Sequence, residues 1–367
     1  MHIFVPALPE VARDLGVGAG PVQLTLTLYL VGVAAGQLFW GPLSDRVGRR
    51  PALLGGIALY VVGSVAAALA PGVGSLIAAR VVQALGGCSG LVLGRAVLRD
   101  VSAPREAAAR MALMNLFMSI GPALAPLVGG LAANMFGWRA IFLFLTAMGA
   151  VTLVATLMSL RETHVDRGAS RGLLRGYMRL LGVPQFRLLA LGGAFSTTSF
   201  YAFLSAAPFI FADRLARPVA EIGFYFVVPI LGFSIGAALA NRLVRNFDPM
   251  RIMLLSSLVA TSGAALFAVV EITDHLSVAG VLVPILIFTI GSGTVSPLAI
   301  TSAIGLQPGM IGAASGLYGF MQMGFGAICT LLVSQWHDNP AQGAALVLLC
   351  ANVAGLAALA LAARRAQ

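Results

Sequence analysis

The chain contains no lysine; all 23 of its basic residues are arginine. Charge of either sign is scarce. Only 10% of the 367 residues are charged and 59% are hydrophobic, whereas a soluble domain carries about a quarter charged residues. So few charges cannot coat a globule of this length, but they can serve the loops of a helical bundle immersed in lipid. Without lysine there is no Walker A loop, which sets ATP-driven transport aside. No H-E-x-x-H pattern occurs, and His2, His164, His275 and His337 are scattered near the ends of apolar runs. An enzyme is therefore not indicated, and neither a metal nor a cofactor is expected. The three cysteines, Cys88, Cys329 and Cys350, lie inside apolar runs without ligand spacing or a disulfide framework, and read as packing residues. The net charge of +10 comes without any RNP, zinc-finger or helix-turn-helix pattern, so nucleic acid is not an expected partner. No cleavable signal peptide precedes the apolar runs.

What the chain does have is a series of uncharged stretches near the roughly 20 residues needed to cross a hydrocarbon core. They place spans near 21–42, 51–70, 75–97, 108–133 and 138–160, and again near 188–212, 221–243, 251–270, 277–304, 310–335 and 341–363. Gly and Pro punctuate helices, so "PGVG" (Pro71 to Gly74) and "GLQPGMIG" (Gly305 to Gly312) mark breaks. The opening "MHIFVPALPEVARDLG" is too short to cross, which leaves eleven spans and a fragment. The arginines crowd onto alternate connections, at 46–50, 99–110, 161–187, 242–251 and 364–365. The opposite side holds only Arg13, Arg139, Arg214 and Arg217. By the positive-inside rule the arginine-rich side, with the linker and the C-terminus, is expected in the cytoplasm.

Residues 161–187 interrupt the pattern and divide the chain into an N-terminal bundle, 1–160, and a C-terminal six-helix bundle, 188–367. Arg171, Arg175 and Arg179 share one helical face in this linker. It reads as an amphipathic helix on the cytoplasmic leaflet, or as a solvated connection. The halves echo each other at an offset of 196 positions: Gly36 with Gly232, Asp45 with Asn241, Arg46 with Arg242 and Arg49 with Arg245. Duplicated bundles suit a secondary transporter.

Several motifs then carry a resemblance. "GPLSDRVGRR", with Gly41, Asp45, Arg46, Gly48 and Arg49, resembles the cytoplasmic signature of the major facilitator superfamily. "RVVQALGG" (Arg80 to Gly87) is similar to its fourth-helix motif. "GPALAPLVGG", with Gly121, Pro122, Pro126, Gly129 and Gly130, resembles its antiporter-helix motif. "FVPALPEVARDLG", "RAVLRD" and "FGWRAIF" resemble the Bcr/CflA type of drug:proton antiporter. The resemblance implies an all-α membrane protein of two six-helix bundles. It also implies that about 20 residues of a first helix, one bilayer crossing, are missing before Met1. No acid stands beside His2, where such proteins often carry one.

The implied activity is export of small apolar or cationic compounds in exchange for protons, by a monomer in a bacterial-type inner membrane. A specific metabolite facilitator of the same fold, and a non-transporting remnant or membrane receptor, are the competing readings. The resemblance makes Asp45 a gate residue, with Arg99 and the segment near Gly309 to Gly312 as partners; simple turn formation by Gly41, Pro42 and Gly48 is the plainer reading. Arg80, a costly charge inside a span, is expected in the cavity beside Gln83, or else snorkels to the interface. Pro122 and Pro126 must bend their helix, and Gly121, Gly129 and Gly130 would admit a close neighbour. Tyr29, Phe200, Tyr201, Phe320, Met321 and Gln322 are candidate cavity residues, since aromatic and Met surfaces re-pack around varied ligands.

Overall fold

The computed structural model describes residues 1–102, 104–163, 173–307, 310–336 and 339–366. Every regular element among them is helical. A short 3-10 helix, His2–Ala7, leads into α1, Leu8–Asp14. Five long helices follow: α2 (Ala19–Val47), α3 (Arg49–Ala68), α4 (Val73–Asp100), α5 (Pro104–Phe136) and α6 (Trp138–Ser159). The linker helix α7 is Leu173–Gly182. The second half holds α8 (Pro184–Thr198), α9 (Phe200–Phe209), a π-helical turn Ile210–Arg214, α10 (Val219–Tyr225), α11 (Val227–Leu243), α12 (Pro249–Ile272), α13 (Val278–Gly305), α14 (Ile311–Val333) and α15 (Pro340–Ala366).

Ten of these segments are long and apolar enough to cross a membrane. The predicted span 108–133 falls in α5, where Leu124–Phe136 is a shorter apolar stretch among the described residues. Large apolar side chains stand on the outside, among them Val62, Val151, Met158 and Ile272. Such a belt suits hydrocarbon rather than water. Two one-residue turns depend on glycine. Gly48 joins α2 to α3 at φ 102°, and Gly137 joins α5 to α6 at φ 79°; other residues are strained there.

The halves repeat one packing scheme. The α2–α4, α3–α4 and α3–α6 contacts are matched by α11–α13, α12–α13 and α12–α15. Glycines make the close approaches in both. A Cβ on Gly36 would lie 2.7 Å from the Cβ of Cys88 in α4, and one on Gly232 would lie 2.0 Å from Oγ1 of Thr289 in α13. Gly86 abuts the backbone of Tyr60, and Gly263 that of Phe288. In lipid, where apolar burial gives no drive for association, this close contact is what holds helices together. The two residues paired at the 196 offset thus do the same work.

Three segments differ from a plain series of straight rods. The N-terminal fragment is not a loose end: Phe4, Val5, Ala7 and Leu8 are fully buried, and the 3-10 turn lies on α5. A Cβ on Gly129 would fall 1.7 Å from the Ile3 carbonyl oxygen, so this glycine seats the turn. The predicted span 188–212 is broken at Ser199. Just before the break, Thr197 and Thr198 donate to the carbonyls of Gly193 and Ala194, back-bonds that bend helices. Asn352 of α15 donates to the Ser199 hydroxyl at 3.1 Å. Finally α7 packs on α14: Gly176 faces Ala313 and Met310, and Leu180 is fully buried. Its partners Arg171 and Arg175 lie outside the described residues or side chains.

A G-x-S-x-G sequence, Gly232 to Gly236, lies inside α11. There Ser234 donates to the carbonyl of Ile230 and no strand-to-helix elbow presents it.

Candidate functional site

The halves meet chiefly along α2 and α14. Thr27 and Thr330 share a hydrogen bond of 2.8 Å toward one end, and Gln37 backs onto Gly316 and Gly319 toward the arginine-rich end. Beside this seam is a cavity of about 220 Å³. α5 contributes Pro122 and Pro126, the broken α8–α9 segment contributes Thr197, Thr198, Phe200 and Tyr201, and α14 contributes Gln322 and Met323. Phe226, Ile230, Phe233 and Ser296 complete the wall, with His2 stacked on Tyr201 at 6.4 Å. The prolines and the break at Ser199 explain why backbone irregularity is tolerated here: non-helical backbone at membrane depth occurs where it lines a cavity.

Arg80 sits on α4 toward this region and is 0% exposed. Its head group does not snorkel. It donates to Oε1 of Gln83, whose Nε2 donates to Ser64 at 2.7 Å, and Ser64 donates to the Tyr60 carbonyl. Aromatic rings enclose the guanidinium, with Tyr29 at 4.1 Å, Phe4 at 5.1 Å and Phe142 at 5.6 Å. A desolvated cation over such faces gains about 2 kcal/mol. No carboxylate is paired with it among the described residues, and its Nε and Nη2 have no partner. A buried, uncompensated charge of this kind marks function by default.

The acids of the chain stay away from this level. Glu10, Asp14, Asp213, Glu221, Glu271 and Asp274 lie at one end of the bundle, and Asp45, Asp100, Glu106, Glu162 and Asp248 at the other. Asp166 and Asp338 lie outside the described residues.

At the arginine-rich end a second cavity, again about 220 Å³, separates the halves. Gly41, Asp45, Arg49 and Arg95 face Gly312, Ser315 and Gly316 across it, with Tyr177 of α7 between them. Asp45 pairs with Arg49 at 2.7 Å, one helical turn away, and Arg49 reaches Asp100 at 3.3 Å. The Glu162 carboxylate accepts from the backbone N–H groups of Arg49 and Arg50, so it caps α3. Burial, and the nearby Asp45 carboxylate, push the Tyr177 phenol up. Arg46 is exposed and stands outside this cluster. The side chain of Arg99, and Gly309, lie outside the described residues; among the described charges, Arg49 pairs with both Asp45 and Asp100.

The remaining candidates divide. Phe200, Tyr201 and Gln322 line the midplane cavity, while Tyr29 covers Arg80. Phe320 is corrected: it is 37% exposed on the outer face of α14, and Met321 packs into the α8–α13 core instead. Two residues apart on a helix, Phe320 and Gln322 point some 160° away from each other by about 100° per residue. Gly121 is also corrected, because it is exposed with nothing within 4 Å of a Cβ placed on it. Gly130 is buried, and Gly129 makes the close approach. Glu162, Asp100, Thr197 and Tyr177 were not legible as site residues.

At the opposite end Asp14 accepts from Nε1 of Trp138 at 2.9 Å and from Arg139 at 2.6 Å. This staple ties α1 to α6. The indole and guanidinium donors hold the Asp14 carboxyl below the usual carboxylate range. A carboxyl depressed in the fold stabilises above its unfolded value and ceases to as pH falls through its folded value. Thermal stability should therefore drop as pH is lowered below about 4, the unperturbed Asp value. Asp14→Asn should remove that part of the drop in a melting series; an unchanged series would show that the staple carries no stability.

Comparison with known proteins agrees with this architecture. The major facilitator superfamily model matches residues 1–331. The chain is 34% identical to the chloramphenicol resistance protein of Pseudomonas aeruginosa, over 93% of this chain and 82% of that one. It is 32% identical to multidrug resistance protein D of Escherichia coli K12, over 90% and 83% of the two chains. A bicyclomycin resistance protein homolog of Haemophilus influenzae is 28% identical over 93% and 86%. Among solved structures, a D-xylose–proton symporter superposes with a TM-score of 0.77 at 14% identity, over 96% of this chain and 92% of that one. The chain is a multi-pass membrane protein that belongs to the major facilitator superfamily and stands among its Bcr/CflA-type members.

Proposed function

We propose that the protein exports small, largely apolar compounds from the cell in exchange for protons, by alternating access. The cavity lined by both halves, with aromatic side chains around a few hydroxyls, one imidazole and one carboxamide, is the observation that supports this most. Relatives named for drug resistance point the same way. In this reading the halves rock about the cavity, Arg80 senses the charge state of the proton path, and the arginine-rich end faces the cytoplasm. Pro122 and Pro126 bend α5 around the cavity and limit leak. A monomer is the assembly this reading takes as its working unit.

The Asp45–Arg49–Asp100 cluster acts as the latch at the cytoplasmic end. Ion pairs near a protein surface contribute about 1 kcal/mol or less, and these are only partly buried, so loss of the cluster should shift conformation more than stability. Asp45→Asn is expected to speed alkylation of a cysteine introduced at Ser315, across the same cavity, in a background lacking the native cysteines. An unaltered rate would refute the latch.

The export reading is tested in proteoliposomes with an imposed pH gradient. Labelled substrate should accumulate when the gradient is set and stop when a protonophore collapses it. Flux indifferent to the gradient would favour a facilitator. A folded protein without flux for any candidate would favour a receptor or remnant.

A further inference from the structure

Helix α7 meets the protein with only part of its surface. Successive residues of a helix turn by about 100°, so Gly176, Tyr177 and Leu180 share one side, Met178 and Leu181 lie on another, and Arg179 borders Met178. The first side is docked. A Cβ on Gly176 would lie 3.7 Å from the Cβ of Ala313 and 3.8 Å from Sδ of Met310, and Leu180 is fully buried in the core of the second half. Tyr177 reaches further, into the cavity at the arginine-rich end. Its hydroxyl and the Gln37 carbonyl of α2 lie 3.5 and 3.6 Å from a Cβ placed on Gly316 of α14, so the tyrosine stands where the halves meet.

The second side is left open by the described residues. Met178 is 65% exposed, Leu181 36%, and Arg179 is exposed beside them. Large apolar groups next to a cation suit the boundary between headgroups and hydrocarbon. The position agrees. α7 ends at Gly182 and α8, which opens a membrane span, begins at Pro184; α14, on which α7 lies, is itself a span that begins at Ile311. α7 is therefore held at the depth where the spans leave the hydrocarbon. Charge then selects the kind of leaflet. Arg161, Arg179 and Arg187 are exposed along the linker and the start of α8, while Glu162 is engaged at the start of α3. Each arginine near an anionic surface adds about fivefold to binding.

We infer that α7 docks on an anionic phospholipid leaflet, and that leaflet charge sets how firmly Tyr177 closes the seam between the halves. The lipid takes up Met178, Arg179 and Leu181 while α14 keeps Gly176 and Leu180, so the two attachments use different sides of one helix and reinforce each other. A neutral leaflet removes part of the first attachment. The tyrosine then leaves the seam more often, and the cavity at that end opens more readily. The inference rests on the alternating-access reading for its purpose. The docking itself needs only a leaflet at the arginine-rich end, whichever way the chain is inserted.

The test uses the full chain, with its native cysteines replaced, in nanodiscs of phosphatidylcholine with or without phosphatidylglycerol. A bimane label on Met178→Cys should be quenched by lipids brominated high on their acyl chains. In a second protein, alkylation of Ser315→Cys, in the cavity that Tyr177 closes, should slow about fivefold or more when phosphatidylglycerol is present. High salt should cancel the effect by screening. Arg179→Gln should weaken this lipid dependence, and Tyr177→Ala should make alkylation fast in both lipids. Absence of quenching would mean that water or another protein covers this face, and would overturn the docking. Equal alkylation rates in the two lipids, or a lipid dependence that Arg179→Gln leaves whole, would overturn the coupling. The comparison between lipids uses one folded protein, so it decides even if a variant fails to fold. Lipid dependence without gradient-driven flux in proteoliposomes would sink the export reading and leave this one standing.

Discussion

Arg80→Met should abolish gradient-driven export while leaving the protein as stable as before. Insertion scales put the cost of an arginine at the centre of a membrane helix at about 2.5–3.5 kcal/mol. The rings of Tyr29, Phe4 and Phe142 and the bond to Gln83 return part of that, a desolvated cation–π contact being worth about 2 kcal/mol. Methionine fills much of the same volume, removes the unpartnered Nε and Nη2, and leaves Gln83 short of one donor, a loss of about 1–3 kcal/mol. The contributions nearly cancel, so the melting temperature should stay within a few degrees of the native value. Export should fall at least about 100-fold, equivalent to about 2.7 kcal/mol of barrier. A residue kept only for packing would behave in the opposite way, with stability and transport lost together. Melting and flux measured on one preparation separate the two outcomes.

The second large effect concerns Gly129. Alanine there would place a methyl group 1.7 Å from the Ile3 oxygen and 2.7 Å from its carbonyl carbon. Both are backbone atoms, so no side-chain rotation relieves the clash, and the N-terminal turn must lift off α5. With it would go Phe4, which covers Arg80, and the buried contacts of Val5 and Leu8. Overpacking against side chains costs about 1–3 kcal/mol; against backbone the loss should be at least about 3 kcal/mol on the same scale. Gly121→Ala is the internal control. Its site is open, and trading a mid-helix glycine for alanine favours the helix by about 1 kcal/mol. Opposite signs at two positions of one motif are the expected pattern. Destabilisation by both would mean that α5 itself, not the docked turn, resents the added methyl.

The spans were legible because membrane helices announce themselves by length: apolar runs bounded by arginine leave little choice. The Arg80–Gln83 pair was legible for the same local reason, since residues three apart share a helical face. What the sequence hid was rotation and distance. A helix in lipid is apolar all round, so periodicity cannot tell the cavity side of α14 from its outer side, and Phe320 is not distinguishable from Gln322 by pattern alone. The break at Ser199 carries no glycine or proline. It arises from threonine back-bonds and from Asn352, 153 residues downstream. Glu162 caps α3 from 113 residues away, and a spacing rule reaches only a turn or two. The length of the N-terminal fragment shows only that it is too short to cross. Its seat on Gly129 became visible only when the chain folded.

The linker, finally, is not a slack tether. Gly176 and Leu180 fasten α7 to α14, and Tyr177 stands in the groove between Asp45 and Gly316. Helix α7 therefore also stands in the cavity between the two halves at that end. In the alternating-access cycle proposed above, a swing that opens that end would first have to draw α7 out of this groove, so the segment between the halves would also yoke them.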